Sequence, residues 1–529
     1  MNGLTRLHMN RWLLALVFMI SFSFAAQAQL TLADVQLIIQ QAAQRAVALG
    51  ANSTTSATNN AVIAVTTREG EVLGVWSVNG LQPIQAVLAE AVSKAGTASF
   101  LSSNQNAFTT RTAAYITGQN FPPGITNRPQ GALVGIGSSS LSQSDENHFR
   151  MPPFPVDYSI GNPVLDSSLT ISPGGLPLYK NGILVGGVGV GGILPEEGGY
   201  VSGYFESEDI ALAGQSGYAP SSGILATGVF LDGIRLPYVE STSGGGSGTG
   251  TPGVDVTGYP VQGAPAPTPW PQVTLGGVAG EYRRRDFADP DPVNPAPIAD
   301  PAGTTPNVPA ADRLTQAEVI QILTQGAQRA VITRSAIRQP LSSPSALYVV
   351  VMNNPDTTPD NGTNPNDTPR TLGIFRMNDS INDAFDVTPQ KTRSALFFSN
   401  LSFAFGSRSI GFLAQAFFPP GINGTNPGPF QTYQAAYSAP ASTTPPNTYL
   451  RDGLTLFGGG IPLYRFDSNL GRYVLIGAVG ASGDGVDQDD LVAAAASVGF
   501  EAPTDIRADQ FSYNNARLPF VKFPRQPVR

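Results

Sequence analysis

Two stretches of the chain alternate between apolar arms and polar turns in the same way. In the first, residues 174–179 (GGLPLY) and 183–190 (ILVGGVGV) flank a short polar turn. In the second, residues 459–464 (GGIPLY) and 474–481 (VLIGAVGA) flank a longer polar turn. Apolar runs of this length, opened by glycine and proline and separated by polar residues, predict one β-hairpin in each stretch.

The return arm of each hairpin is rich in glycine, with Gly187 and Gly189 in the first and Gly480 in the second. Glycine inside a strand is typical of places where another group approaches the backbone closely. That group is either a neighbouring helix or a flat ligand, and the arms alone leave both open.

Helical periodicity begins twice behind a capping signal. Thr31 precedes one run of apolar residues at helical spacing and Thr315 precedes the other, with Asp34 and Glu318 three positions on. This pattern predicts a capped helix in each place. Each helix is followed by two predicted strands and then another helix, at residues 61–67, 72–78 and 86–100, and again at residues 347–352, 372–377 and 388–403.

These elements belong to an internal repeat of six blocks in the same order. Two of the blocks are FPPGI, at residues 121–125 and 418–422, and RLP followed by an aromatic residue and valine, at residues 235–239 and 517–521. The repeat predicts domain 1 over residues 29–240 and domain 2 over residues 312–529. The Gly-, Pro- and Ser-rich stretch 241–311 is predicted to be a linker with an ordered patch near residues 273–287.

Composition narrows the classes of function. At 529 residues the chain is too long for one ordinary domain, and its formal net charge of −8 argues against nucleic acid and anionic membranes as partners. It has no cysteine, which excludes disulfides, thiolate nucleophiles and cysteine metal sites.

The first 28 residues have the pattern of a secretory signal peptide. Arg6 and Arg11 precede a mostly apolar run, and Ala26-Gln27-Ala28 forms a small-x-small cleavage site. We therefore expect export to the periplasm or the exterior, with cleavage before Gln29. The apolar run is shorter than the roughly 20 residues that a membrane span needs, so no span is expected.

Taken together, the blocks resemble the GlcG/HbpS-type haem-binding (haem-degrading-like) domain family. The resemblance rests on the L-T-x-x-x-V helix start, the K-x-x-T/S-A element at Lys94 and Lys391, the GGxPLY hairpins, FRMND at residues 375–379 and the glycine-rich arm at residues 477–483. The first copy departs from FRMND and reads WSVNG at residues 76–80. The resemblance implies an α/β (α+β) fold of two tandem profilin-like domains, each a central antiparallel sheet flanked by helices.

The resemblance also implies haem or another tetrapyrrole as a ligand, and pairing of the two repeats within the chain or a homo-oligomer. The residues that it assigns to ligand binding are Lys94, Thr97, Lys391, Ser394, Arg376, Gly187, Gly189 and Gly480. The lysines would serve the propionates of haem. His148 is the candidate axial ligand, because the other histidine, His8, leaves with the signal peptide.

The sequence supports a catalytic function less than it supports a binding function. Residues 187–192 match G-x-G-x-x-G but lie in a hairpin arm that no helix directly follows, which disfavours a dinucleotide site. One histidine in the processed chain disfavours a Ser-His-Asp triad and histidine metal clusters, whereas paired carboxylates stay open. The alternative to a tetrapyrrole-binding protein is a non-catalytic structural or interaction protein that keeps the fold without the ligand.

Overall fold

The computed structural model describes residues 28–54, 59–118, 120–134, 169–193, 206–240, 253–265, 270–283, 285, 294–301, 308–355, 369–431 and 454–528. The signal peptide up to residue 27, His148 and most of the 353–370 insert lie outside the described residues.

Copy 1 contains four helices and six strands within the described part of the chain. The helices are α1 (Leu32–Ala48), α2 (Gln85–Phe100), α3 (Thr110–Ile116) and α4 (Glu206–Gly214). The strands are β1 (Asn59–Thr67), β2 (Val72–Ser77), β3 (Gly175–Lys180), β4 (Ile183–Ile193), β5 (Phe230–Leu231) and β6 (Ile234–Arg235).

Copy 2 repeats this order of elements. Its described helices are α5 (Gln316–Ile332), α6 (Ala384–Phe397), α7 (Ser407–Leu413) and α8 (Val486–Ala496). Its strands are β10 (Tyr348–Asn353), β11 (Thr371–Met377), β12 (Gly460–Asp467), β13 (Arg472–Ser482), β14 (Ser512–Tyr513) and β15 (Ala516–Arg517). Between the copies lie β7 (Val254–Asp255), β8 (Gln272–Leu275) and β9 (Val278–Tyr282).

Each copy is built on one antiparallel sheet, in the order β3-β4-β1-β2-β7 in copy 1 and β12-β13-β10-β11-β9-β8 in copy 2. The two predicted hairpins are β3–β4 and β12–β13. Gly175 pairs with Gly189, and Gly460 pairs with Gly480, so the two hairpins have the same register. The α+β class of tandem sheet-and-helix domains is therefore confirmed.

Helices cover both faces of each sheet, which explains why the central strands are almost continuously apolar. Ile63 and Val65 of β1 pack in a core with α1, whereas Val62 and Ala64 point to the other face and pack with α2. The period-2 alternation of a strand produces this division. Copy 2 repeats the arrangement, with Val349 in the core on the α5 side.

Both predicted capping boxes form at the helix starts. The Thr31 backbone N–H donates to Asp34 Oδ2 at 2.7 Å, and Thr315 N–H donates to Glu318 Oε2 at 2.9 Å. In return, the N–H groups of Asp34 and Glu318 donate to the threonine hydroxyl oxygens. The caps therefore fix the same starting point for the first helix of each copy.

Part of the segment predicted as a linker belongs to the two sheets. β7 pairs with β2, and β9 pairs with β11. The hairpin β8–β9 lies in the predicted ordered patch. These strands cover edges whose backbone groups would otherwise be unpaired, which gives the segment a structural role in both copies.

One predicted helix ends earlier than the periodicity suggests. α6 ends at Phe397, whereas the prediction ran to residue 403. The reason is a side-chain contact between Ser399 and Phe405. The Ser399 hydroxyl accepts a hydrogen bond from the Phe405 N–H at 3.0 Å and donates one to the Phe405 carbonyl oxygen at 3.3 Å. This folds residues 400–403 into a loop. Ser102 makes the same two bonds to Phe108 in copy 1.

Candidate functional site

The glycine-rich return arms lie directly beneath a helix in both copies. A Cβ atom built on Gly187 would collide with the carbonyl oxygen of Ala95, and one on Gly189 with that of Ala91. In copy 2 a Cβ on Gly480 would lie 2.7 Å from the carbonyl oxygen of Thr388. The sequence left open whether a helix or a flat ligand lies against these arms, and the structure places a helix there.

The matched lysines are buried where that helix meets the return arm. Lys94 and Lys391 are each 1% exposed. Lys94 Nζ donates to Glu90 Oε1 at 2.6 Å and to the carbonyl oxygen of Val190 at 2.8 Å. Both bonds hold the ammonium group inside copy 1, where α2 crosses β4.

Lys391 repeats this position with a different acid. Its Nζ donates to Asp489 Oδ2 at 2.8 Å, to Ser482 Oγ at 3.0 Å and to the carbonyl oxygen of Ala481 at 3.3 Å. Ala481 is the equivalent of Val190, since each follows the glycine that pairs with the opening arm. Both lysines therefore tie a helix to the same point of the sheet.

Burial shifts the pKa values of residues in these two ion pairs. It lowers the pKa of Lys94, and the neighbouring Glu90 carboxylate opposes that shift. It raises the pKa of Asp489 to about 6, against the opposing influence of Lys391. The partners differ in exposure, because the Glu90 side chain is 30% exposed and the Asp489 side chain only 3%. The copy 2 pair is thus the more completely desolvated one.

The hydroxyl residues next to the lysines hold the segment that leads into the hairpin. Thr97 Oγ1 accepts the N–H of Thr170 at 2.9 Å. Ser394 Oγ accepts the N–H of Thr455 at 3.2 Å and donates to its carbonyl oxygen at 2.6 Å. Thr97 and Ser394 are both 0% exposed, so these predicted site residues lie in the protein interior.

The acidic starts of α4 and α8 form buried ion pairs. Glu208 accepts bonds from Arg111 at 2.8 Å. Asp490 accepts one from Arg408, which is the equivalent of Arg111, and Arg408 also contacts Asp487 at 2.7 Å. Within the described ranges, no group of three or more acidic or histidine side chains is arranged to hold a metal ion.

Arg376, the remaining described site candidate, lies at the boundary between the copies. Its Nη1 is 3.1 Å from Glu281 Oε1 of β9 and 3.4 Å from Glu69 Oε1 of copy 1. Burial by itself would raise the pKa of Glu281. The guanidinium groups of Arg283 and Arg376 outweigh the effect of burial, so the pKa of Glu281 is lowered. Arg376 thus joins three parts of the chain: copy 1, the connecting strands and copy 2.

A second network at this boundary is centred on Arg338, whose side chain is completely buried. Its Nε donates to Asp484 at 2.9 Å and its Nη1 to Asp379 at 2.9 Å. Nη1 also reaches Ser103 Oγ of copy 1 at 3.3 Å. Asp379 in turn accepts bonds from Arg68 of copy 1 at 2.9 Å. The two repeats therefore pair within the chain through a network of charges around the buried Arg338.

Burial also raises the pKa of Asp484 to about 7, although the Arg338 guanidinium and the Ala346 N–H favour its ionised form. No sequence pattern pointed to Arg338, Arg68 or the pairing role of Asp379. The available signal was the difference between the copies: Gly80 stands in copy 1 where Asp379 stands in copy 2.

A comparison with protein families identifies the architecture. The family model described as "Haem degrading protein HbpS-like" matches residues 30–199 and 367–497, more than half of the chain. The chain belongs to the HbpS-like family. The two matched ranges fall in different copies, so both repeats are HbpS-like domains, as the resemblance implied.

The second HbpS-like range begins after α5 and β10, which the structure nevertheless shows to be the equivalents of α1 and β1. The 353–370 insert separates these two elements from the matched part of copy 2. Both HbpS-like copies therefore have the complete set of sheet and flanking helices.

Two of the solved structures that resemble this chain are the following. The first is the crystal structure of Klebsiella pneumoniae protein ORFY, with 17% identity, a TM-score of 0.21, and 37% of this chain and 94% of that chain covered. The second is the crystal structure of a PduOC–haem complex, with 16% identity, a TM-score of 0.18, and 36% and 94% of the two chains covered. The search of curated proteins found no match. None of the described helices is long and apolar enough to cross a membrane.

The described candidates do not fit a haem site in this HbpS-like protein. Lys94 is paired with the partly exposed Glu90 and Lys391 with the buried Asp489, and the glycine arms contact helices rather than an open slot. Tyrosine can also bind haem iron, but Tyr179 of β3 and Tyr464 of β12 donate their hydroxyl protons to carbonyl oxygens at 2.7 and 2.8 Å, and burial raises the pKa of both phenols. His148, the predicted axial ligand, lies outside the described residues.

Proposed function

We propose that this protein is an exported tandem-domain binding protein whose ligand is haem or another tetrapyrrole. The observation that carries the proposal is the double match to the HbpS-like family, whose model is described as haem-degrading. Each match falls on a copy with a complete sheet and helix framework, so two potential binding domains are held in one chain.

The proposal places haem outside the interface between the hairpin and the helix. That interface is filled by α2 in copy 1 and α6 in copy 2, and its lysines are used to neutralise acids. His148 is the axial ligand that we propose, because imidazole is a common ligand of haem iron and no second histidine follows the signal peptide. His148 belongs to copy 1, so the proposal predicts one haem for each chain.

A haemin titration tests this proposal. Haemin added to the purified, processed protein should give a shifted Soret band that saturates at one equivalent for each chain. His148→Ala should lose the shift, whereas Asn181→Ala, an exposed change in the β3–β4 turn, should keep it. A wild-type protein with no shift, or a His148→Ala variant that titrates like wild type, would contradict the proposed ligand or the proposed axial residue.

Export can be checked on the same material. We expect the protein recovered from the periplasm or the medium to begin at Gln29. N-terminal sequencing gives the answer directly, and a cytoplasmic protein that starts at Met1 would contradict the export proposal.

The packed lysine sites favour a second candidate function, a non-catalytic interaction protein that has kept the family fold without the ligand. Lys94 and Lys391, which the resemblance assigned to the ligand, instead stabilise the contact between helix and sheet. A purified protein that shows no chromophore and no Soret shift with haemin, yet binds a specific protein partner, would favour this candidate over the first.

A further inference from the structure

Two buried arginines of the copy 2 sheet lie side by side at the boundary with copy 1. Arg376 belongs to β11 and Arg283 directly follows β9, and each residue is 8% exposed. Both guanidinium groups donate to the same oxygen of Glu281, at 3.1 Å from Arg376 Nη1 and 2.9 Å from Arg283 Nη1. One carboxylate cannot neutralise two guanidinium groups, so the pair needs a second acid for charge balance.

Glu69 of copy 1 is that second acid, and its contacts with the arginines are longer. Glu69 Oε1 is 3.4 Å from Arg376 Nη1, and Glu69 Oε2 is 3.6 Å from Arg283 Nη2. Each oxygen faces a different arginine, which is a position that suits a carboxylate between two guanidinium groups. The Glu69 side chain is also 45% exposed, so this carboxylate lies between the buried arginines and the solvent.

The turn that carries Glu69 is fixed by other contacts. Asn382 Nδ2 donates to the carbonyl oxygen of Arg68 at 2.7 Å, and the Arg68 side chain is paired with Asp379. These bonds hold the backbone of the turn against copy 2 without the help of the Glu69 carboxylate. A rotation of the Glu69 side chain towards solvent would therefore open its position between the arginines while the two copies stay paired.

Tyr348 adds a hydrogen-bond donor that lacks an acceptor. Its side chain is completely buried, and its hydroxyl group has no hydrogen-bond partner among the described residues. Burial raises the pKa of Tyr348, and the charges of both arginines and both glutamates also act on it, so the hydroxyl lies among these four groups. The Nε–H groups of Arg283 and Arg376 are likewise buried and without a partner in the described part of the chain. Buried donors without an acceptor favour an anion as the group that they contact.

Copy 1 shows that the fold does not require charged residues at this place. On the first two strands of copy 2, Tyr348 lies opposite Arg376. The equivalent positions of copy 1 hold Val62 opposite Ser77, and Val62 packs with Leu88 in an apolar core. Burying charge costs more free energy than burying apolar groups of similar size. A charged cluster that the other repeat does without therefore favours a function beyond folding.

We propose that Arg283 and Arg376 bind the carboxylate group of a small organic acid, which takes the position of the Glu69 carboxylate. The guanidinium groups supply the planar, paired N–H donors that suit a carboxylate, and Tyr348 supplies a hydroxyl donor. The Trp270 ring, whose centroid is 4.6 Å from the guanidinium carbon of Arg283, holds that arginine in place. The site shares no residue with the proposed axial ligand of haem, so the two proposals are tested separately.

Titration calorimetry of the processed full chain with sodium acetate tests the site. Wild type should bind one acetate for each chain, and Glu69→Gln should bind it roughly tenfold tighter, because the amide removes the competing negative charge. Glu240→Gln is the matched control and should keep the wild-type affinity. Glu240 is also a partly exposed partner of a buried arginine, since its side chain is 40% exposed and contacts Arg111 at 3.2 Å. Sodium chloride over the same concentrations should give no saturable heat.

Two further variants locate the bound acetate. Tyr348→Phe removes only the hydroxyl group, and Arg283→Lys keeps the positive charge next to Glu281 but loses the planar fork of donors. Both variants should fold like wild type and bind acetate about fivefold more weakly. Circular dichroism checks their fold, and Arg376→Lys replaces Arg283→Lys if that variant is not folded.

Four results would each overturn the proposal. The first is a lack of acetate binding by both wild type and Glu69→Gln, and the second is a Glu69→Gln affinity no higher than that of wild type. The third is chloride binding as tight as acetate binding, which would show that the site does not select a carboxylate. The fourth is wild-type affinity in both Tyr348→Phe and the arginine variant, which would place the acetate elsewhere.

Discussion

Arg68 and Asp379 lie 311 positions apart in the sequence, in different copies, and their Nη2 and Oδ1 atoms are 2.9 Å apart. The same carboxylate accepts a bond from Arg338, which is also paired with Asp484. A single side chain of copy 2 thus connects an arginine of each copy. Removing one member of such a network leaves uncompensated charge in a desolvated place.

Asp379→Asn should weaken the pairing of the two copies. We expect a loss of roughly 2 to 4 kcal/mol in unfolding free energy, because Arg338 would keep its charge with one carboxylate fewer. Urea unfolding followed by tryptophan fluorescence measures the change. Asp505→Asn, at an exposed position of copy 2, is the control and should unfold like wild type.

The two buried lysines should differ in their effect on stability. Lys391→Met leaves Asp489 buried without its cation and should cost about 3 to 5 kcal/mol. Lys94→Met should cost less, about 1 kcal/mol, because Glu90 is partly exposed and regains contact with water. Urea unfolding compares the two, and equal losses would contradict the difference in burial on which the prediction depends.

A double substitution separates the charge effect from the packing effect. Lys391→Met combined with Asp489→Leu removes both members of the pair and should recover most of the stability that Lys391→Met alone loses. The reason is that the double substitution also removes the carboxylate that Lys391→Met alone would leave buried and unpaired. Thermal unfolding of the single and double variants provides the comparison.

The glycine arms should not tolerate a side chain. Gly187→Ala places a methyl group against the backbone of α2, and we expect a loss of about 1 to 3 kcal/mol because backbone cannot move aside locally. Gly96→Ala is the matched control on α2 itself, where a methyl group meets no atom within 4 Å. That change should be neutral or stabilise by up to about 1 kcal/mol, since alanine favours a helix over glycine. Destabilisation by both would refute the close-contact explanation.

Stability should fall as the pH rises from about 4 towards neutrality, owing to Asp484. Its pKa is raised from the ordinary 3.8 to about 7 in the folded protein. In this pH range the folded state therefore holds a proton on Asp484 that the unfolded state has lost. The stability that this proton contributes disappears as the pH rises past the pKa of the folded state. Denaturation at several pH values measures the slope, which Asp484→Asn should reduce in part, because burial also raises the pKa of Asp489 to about 6 and that group titrates over the same range. A variant with the full wild-type slope would show that Asp484 does not contribute to it.

Sequence patterns predicted the framework well because they reflect local physics. Two kinds of feature depend only on neighbours along the chain: the capping boxes at Thr31 and Thr315, and the hairpins around their polar turns. The equivalence of Lys94 and Lys391 depends only on the sequence identity of the two repeats. The end of α6 was missed because it depends on one side-chain contact, from Ser399 to Phe405. The roles of Lys94 and Lys391 were not visible either, since a lysine in a helix pattern does not show which carbonyl group it meets.

The sequence by itself indicated two copies that resemble the HbpS-like family, each with a central antiparallel sheet flanked by helices. Periodicity, caps and turn residues are local, and a repeat doubles their signal. Only the tertiary structure decided what lies on the glycine arms, which acid each buried lysine neutralises, and which faces of the copies meet. Those outcomes depend on contacts between residues hundreds of positions apart, such as Arg68 and Asp379. The electrostatic energy of two such charges depends on the distance between them in the folded protein, and no pattern along the chain contains that distance.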